Sequence, residues 1–285
     1  MWVGATTAHA APTPADAEAA LRAGDVEGAA RIWRRWVKAH PDDGAAWFAL
    51  AGAEHQLARW DAAAAGWERA VALGVRPGAS GYNLGCALAR AGRADDALRA
   101  LDAAAGFATG DQLRADPDLA LLQADPRFAG VIDRAEAARY PCDHDPRYRA
   151  FDFWVGDWVV ERGGQRLGTN TITREQHGCV LLERWTDTFG GAGTSFTFLD
   201  PTADRWRQLW IDGSGRIAEY AGGFESADRL VMEARTASPG AADGRSRGTW
   251  TRNPDGTVRQ VFEAQSADGT WVVTFDGTYR PAATP

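Results

Sequence analysis

Phe151-Asp152-Phe153-Trp154-Val155-Gly156-Asp157-Trp158-Val159-Val160-Glu161 divides the chain into two kinds of sequence. Upstream, alanine-rich stretches with apolar residues at helical spacing are broken by short turns. Downstream, runs rich in Trp, Val, Thr and Phe alternate with Gly, Asp and Pro. A helical period on one side and a period of two on the other predict an all-α unit followed by an all-β unit. With 285 residues, 45% hydrophobic and 24% charged, the chain is long enough to build two separate cores.

Working upstream, an offset of 34 residues lays Leu50 on Leu84, Ala63 on Ala97, Trp67 on Leu101 and Ala70 on Ala104, and backwards carries Ala63 to Ala29 and Trp67 to Trp33. That period is the length of a tetratricopeptide repeat, a helix pair that stacks on its neighbours into a solenoid. The units run 13–43, 44–77 and 78–110. Ala29, Ala63 and Ala97 mark the tight helix crossings, and Trp33, Trp67 and Leu101 fill the space between pairs. Gly85 lets the second helix of its pair approach. The first unit is degenerate, because Asp16 stands where Leu50 and Leu84 stand in the others. A solenoid unit cannot bury its apolar face alone, so the stack needs an end cap. Asp116-Pro117-Asp118-Leu119 and Asp125-Pro126-Arg127-Phe128 supply one, each Asp-Pro pair suiting a helix start, and the pattern resembles segments that close tetratricopeptide arrays in bacterial proteins. The helical unit therefore spans 13–140, and a protein or peptide partner is its expected ligand unless it is a rigid spacer. Trp36 and Trp60 lie outside the core slots and are the candidate partner-binding residues; packing on a neighbouring helix is the alternative for both.

Residues 141–150 read as a linker. From there ten strand-like runs follow: 155–162, 168–174, 179–187, 194–199, 205–212, 216–224, 229–235, 247–252, 257–264 and 271–279. Their connections are mostly of hairpin length and leave no room for a helical crossover, so the sheet is expected to be an antiparallel meander that closes on itself over 151–281. Alternation assigns the inner face. Trp206, Gln208 and Trp210 share one side of their strand; Leu181, Glu183 and Trp185 share another, as do Val258, Gln260 and Phe262, and Trp271, Val273, Phe275 and Tyr279. Glu183, Gln208 and Gln260 thus lie among aromatics, where an unpartnered polar group costs several kcal/mol. Such groups hold each other or await a ligand. The candidate recognition set is Glu183, Gln208 and Gln260 walled by Trp185, Trp206 and Trp210, with Arg247 as a counter-charge for Glu183.

Gly156-Asp157-Trp158 has the Gly-x-Trp form that opens the first strand of lipocalin-like barrels. Together with Gly178 to Trp185, Trp206-x-Gln-x-Trp-x-Asp212 and Val258-Arg-Gln260, it resembles an uncharacterised bacterial domain family with a lipocalin-like (calycin) barrel, over about half of the chain. The resemblance implies a cup for a small, partly apolar molecule, with no established activity. It further implies that Trp158 closes the floor, and Arg280, at the end of the last strand, is expected to stack on its ring.

The formal net charge is −7, and residues 1–145 carry 15 basic against 20 acidic groups. Neither half presents a basic face for nucleic acid or anionic lipid, and no run is apolar and long enough to span a membrane. Phosphate-binding glycine loops, metalloprotease motifs and nucleophile elbows are missing, so the protein is expected to be non-enzymatic, without cofactors. Haem through a late-strand histidine is disfavoured because the last histidine is His177. Cys142-x-His144 and His177-x-Cys179 contain zinc-ligand types at an unusual spacing. Cys142 and Cys179 can instead form a disulfide, which would persist in an exported protein, whereas Cys86 reads as a buried thiol. Residues 1–12, with Ala8-His9-Ala10, read as a signal-peptide remnant or as a frayed, disordered terminus, and the expected location is periplasmic or secreted, with the cytoplasm as alternative. The overall expectation is a two-domain α plus β binding protein: a tetratricopeptide solenoid for a protein partner and a ten-stranded barrel for a small apolar or amphipathic ligand. The alternative is a purely structural or interaction protein whose barrel core is filled.

Overall fold

The computed structural model describes residues 11–236 and 244–283, so the signal-peptide reading of the first ten residues lies outside the described part. The chain divides into two compact units, Met1–Pro141 and Cys142–Pro285.

In the first unit the helices come in pairs: α1 (Pro14–Arg22) with α2 (Val26–Ala39), α3 (Gly44–Gln56) with α4 (Trp60–Ala72), and α5 (Pro77–Arg90) with α6 (Ala94–Ala103). The 34-residue period is written into the backbone. The turn inside each pair carries one left-handed residue, and these are Gly24 (φ 82°), Ala58 (φ 56°) and Gly92 (φ 77°). Ala29, Ala63 and Ala97 are completely buried, and Trp33, Trp67 and Leu101 nearly so, as tight helix crossings filled between pairs require. A Cβ on Gly85 would come within 2.6 Å of Leu101 Cγ, so α5 and α6 approach that closely only because the position is glycine. Asp16, the outlier of the first unit, has changed job: its carboxylate accepts from the Thr13 backbone N–H (2.7 Å) and hydroxyl (2.8 Å), which caps α1. The array ends on α7 (Gly110–Ala115), a 3-10 turn (Pro117–Leu122) and α8 (Pro126–Arg139). Asp116 and Asp125 accept from the backbone N–H two residues on, at 2.8 and 2.9 Å, and Leu119, Leu122, Phe128, Val131 and Ile132 bury the exposed end of the stack.

The second unit corrects the linker reading. Residues 141–150 form a short helix, α9 (Pro141–His144), and a 3-10 turn (Pro146–Arg149), and Cys142 and Tyr148 are buried in the barrel's own core. Ten strands follow: β1 (Gly156–Arg162), β2 (Gln165–Glu175), β3 (Val180–Asp187), β4 (Ala192–Asp200), β5 (Arg205–Asp212), β6 (Ile217–Ser226), β7 (Arg229–Thr236), β8 (Gly244–Arg252), β9 (Val258–Gln265) and β10 (Trp271–Pro281). Each pairs antiparallel with the next, and β10 returns to β1 with Trp158 opposite Pro281 and Glu161 opposite Thr278, closing the barrel.

One end is plugged. Phe151 and Trp154 stack with ring centroids 5.0 Å apart, and both are wholly buried with Trp250. Trp158 is buried beside them, its indole N–H donating to the Trp154 carbonyl at 3.0 Å and its ring edge-on to Tyr279. The floor is therefore a cluster of aromatics to which Trp158 contributes one ring. Arg280 is not on it. Standing opposite Val159, it points outward and pairs with Glu161 across the β1–β10 seam, Nε to Oε2 at 3.2 Å. Tyr279, one residue earlier and on the inner parity, occupies the position expected for Arg280.

Candidate functional site

Strands β3, β5 and β9 run from the floor upward, and their inward residues form three tiers. The lowest tier is apolar: Leu181, Trp206 and Val258, all buried in the core around the plug. The middle tier is polar: Glu183, Gln208 and Gln260, each at most 4% exposed. The upper tier is aromatic: Trp185, Trp210 and Phe262. Above the middle tier the side chains part and leave a cavity of about 850 Å³, bounded further by Tyr220, Phe275 and Tyr279. The barrel is thus filled in its lower part and hollow in its upper part.

The hollow depends on small residues opposite large ones. A Cβ on Gly193 would lie 2.2 Å from the Trp210 indole, and one on Gly168 would lie 2.7 Å from that of Trp185. Glycine at these two inward positions lets each indole lie against the neighbouring strand.

Glu183 is the hub of the polar tier. Asn170 Nδ2, diagonal to it on β2, donates to Oε1 at 2.6 Å, and the Ser195 hydroxyl, directly opposite on β4, donates to Oε2 at 2.6 Å. Gln208 Nε2 extends the chain to the Ser195 and Thr197 hydroxyls, at 3.2 Å each. Tyr279 donates its hydroxyl proton to Gln260 Oε1. Burial disfavours the charged form of Glu183 and outweighs the two hydrogen bonds, pushing its carboxyl up to about 6. Burial, and then the charge of Glu183, hold the Tyr279 phenol well above its usual range. Hydrogen bonds satisfy part of this network only: Asn170 Oδ1 and Trp210 Nε1 are buried without a partner among the described residues.

Of the seven residues expected to form the ligand set, five meet at this cavity: Glu183, Trp185, Gln208, Trp210 and Gln260. Trp206 has the inward parity but lies one tier too low, edge-on to Phe151 and Phe224. Arg247 faces out. On β8 the inward set is Ser246, Gly248 and Trp250, and the outward Arg247 bonds its cross-strand partner Glu263 at 2.7 and 2.9 Å and lies 4.5 Å over the Trp271 ring. Glu183 therefore has no counter-charge from Arg247. Trp271 and Val273 also face out, because the pairing of β10 with β9 shifts register between Val273 and Phe275; past that bulge Phe275 and Tyr279 turn in. Asn170 and Ser195 escaped the sequence reading, although alternation on β2 and β4 places both on the buried face.

Cys142 and Cys179 are joined in a disulfide, Cα to Cα 5.0 Å, which removes both sulfurs as zinc ligands. His177 instead approaches Asp143 at 3.3 Å. Cys86 is a buried free thiol in α5, and burial pushes its pKa up. In the helical unit Trp36 donates its indole N–H to Asp43 at 2.8 Å and stacks on His40, and Trp60 lies under the Arg90 guanidinium at 4.5 Å. Both are half-buried and engaged by neighbours in their own unit. No described helix is long and apolar enough to cross a membrane.

Residues 17–53 match the family model for the tetratricopeptide repeat, from α1 through most of α3. Among solved structures the chain is similar to MamA, at 19% identity and a TM-score of 0.35 over 44% of this chain and 71% of that one. It is similar also to a mutant O-GlcNAc transferase from Thermobaculum terrenum, at 28% identity and a TM-score of 0.31, over 45% of this chain and 26% of the transferase. No curated protein matches. The N-terminal helices thus carry a tetratricopeptide repeat, a module for protein interaction, and a closed ten-stranded antiparallel barrel follows them.

Proposed function

We propose that the protein is a non-enzymatic binding protein whose helical unit engages a protein or peptide and whose barrel, lipocalin-like in architecture, holds a small amphipathic ligand. The observation that carries the ligand reading is the cavity of about 850 Å³ with a polar tier at its base and aromatic walls above, the composition of a small-molecule pocket. A non-enzymatic role is favoured by the partners of Glu183, which are amides and hydroxyls together with a Tyr279 phenol held in its neutral form, so no second group is poised for proton exchange. Export is the location that suits a Cys142–Cys179 bridge, because such bridges persist in oxidising compartments.

The test is a thermal-shift screen of the whole chain against lipids, haem and small aromatic metabolites, with Gly193→Leu as the control. Stabilisation grows with ligand concentration when only the folded state binds. A leucine on Gly193 competes for the space of the Trp210 indole and should abolish the shift. Absence of any hit in these classes would return the barrel to a structural role.

A further inference from the structure

Resting on the reading of the barrel as a ligand cup, we infer that its occupant is an organic cation, an ammonium group with N–H donors carried on an apolar or aromatic body. The charge inventory of the cavity points one way. Among the described residues, Glu183 is the one carboxylate that lines it, and no lysine or histidine does. The single lining arginine, Arg216, belongs to the β5–β6 hairpin at the rim and is tied to Asp212 at 3.1 Å.

The groups that face Glu183 from each strand around it are neutral: Asn170 from β2, Ser195 from β4, and beyond them Gln208, Gln260 and Tyr279. A buried carboxylate held by two neutral donors retains unused lone pairs on both oxygens and has no cation to neutralise it. Beside it Asn170 Oδ1 is a further acceptor without a donor among the described residues, on a residue only 1% exposed. An entering ammonium supplies the missing charge, and N–H groups for the free lone pairs of Glu183, the member of this pair that lines the cavity. Above it, Trp185, Trp210, Tyr220, Phe262 and Phe275 form a wall that solvates a cation through ring quadrupoles and its apolar body through contact. A fatty acid or other carboxylate would set its head group against Glu183, with no arginine inside the cup to compensate.

The inference also fixes a pH dependence. Glu183, pushed up to about 6 by burial, must be ionised to hold an ammonium, so affinity for a cation should rise as pH climbs through that value and stay flat for a neutral ligand.

The experiment is isothermal titration of the full chain with two matched series. One comprises phenethylamine, 2-phenylethanol and 3-phenylpropionate, and the other decylamine, decanol and decanoate. The amine in each series should bind at least about tenfold more tightly than the alcohol, and the carboxylate most weakly. Glu183→Gln should bring amine and alcohol to equal affinity. If that variant does not fold, amine titrations of the unaltered protein between about pH 5 and pH 8 replace it, and the amine should gain on the alcohol across the range. Alcohols or carboxylates binding as tightly as amines, or a Glu183→Gln protein that keeps the preference, would overturn the cation assignment and leave the cup standing. Failure of all six probes to bind would sink the cup reading along with it.

Discussion

Replacing Phe151 with alanine removes the ring on which the floor of the barrel closes. Its side chain is 0% exposed, and its centroid lies between 5.0 and 6.1 Å from those of Phe153, Trp154, Trp206, Phe224 and Trp250. Truncating a buried Phe costs about 3–5 kcal/mol, more when the surroundings cannot collapse into the void. Here collapse is restricted, since Trp206, Phe224 and Trp250 sit on strands hydrogen-bonded on both sides in a closed barrel. The cost should therefore reach the upper end, about 5 kcal/mol, which for a unit of this size lowers the melting temperature by roughly 10–20 °C. Near-ultraviolet circular dichroism followed against temperature, with the disulfide intact, measures it. Phe196→Ala is the control: that side chain is 43% exposed, and its loss should cost no more than about 1 kcal/mol. A Phe151→Ala protein melting within about 2 °C of the unaltered one would refute the floor as a packed core.

Glu183→Gln should change how stability depends on pH. Because the folded carboxyl titrates near 6 instead of its ordinary 4.5, its contribution is fully present below 4.5 and lost as pH rises through 6, so the variant should gain about 2 kcal/mol relative to the parent across that window in urea titrations; a constant difference would contradict the burial argument. Cys142 and Cys179 stand 37 residues apart, and opening the bridge should destabilise the barrel unit by up to about 4 kcal/mol on the chain-entropy account; alkylation, without reductant, of protein taken from its native compartment should reach Cys86 alone once unfolded, and labelling of all three would remove both the bridge and the proposal of export. Ala58→Gly should stabilise the helical unit by about 0.5–1 kcal/mol in thermal melts, since the left-handed turn there is occupied by glycine one period before and after; destabilisation would mean that its methyl group matters more than its backbone. Trp158→Ala should cost about 3–5 kcal/mol while Arg280→Ala, paired with Glu161 at the surface, costs at most about 1; equal effects by chemical denaturation would restore Arg280 to the floor.

Most of the architecture was legible because it follows from periodicity. The 34-residue offset recurs in the left-handed turns, and period-two alternation alone places Glu183, Gln208 and Gln260 on the inner faces of their strands. Height along the barrel axis was not legible. Trp206 and Trp210 share a face of β5, yet one packs the floor and the other walls the cavity, because only closure of the ring shows which end is plugged. Arg247 was misplaced although Trp250, three residues on, carries the signal: a tryptophan on the inner face of β8 sends Arg247 outward. Val273 was lost to the bulge in β10, which advances the alternation by one residue and leaves no mark in composition. The linker failed for a related reason: Pro-rich, polar sequence conceals Tyr148 and Cys142, which belong to the barrel core.

The seam between β1 and β10 also sets an order of events for a chain that enters, N-terminus first, the compartment where it folds. It joins Trp158 to Pro281 through four paired positions, so it is both a short ladder and the most remote contact of the ring. Until Pro281 has emerged, β1 presents an open edge, and Phe151, Trp154 and Trp158 lack the Tyr279 and Trp250 rings that cover them. Contacts so distant in sequence form late and expose apolar surface in the meantime. The Cys142–Cys179 bridge spans only 37 residues and needs nothing beyond the turn that follows β2. Made early, it would hold the future plug beside the strands it must close, and protein synthesised without it would spend longer as a sticky, unclosed sheet.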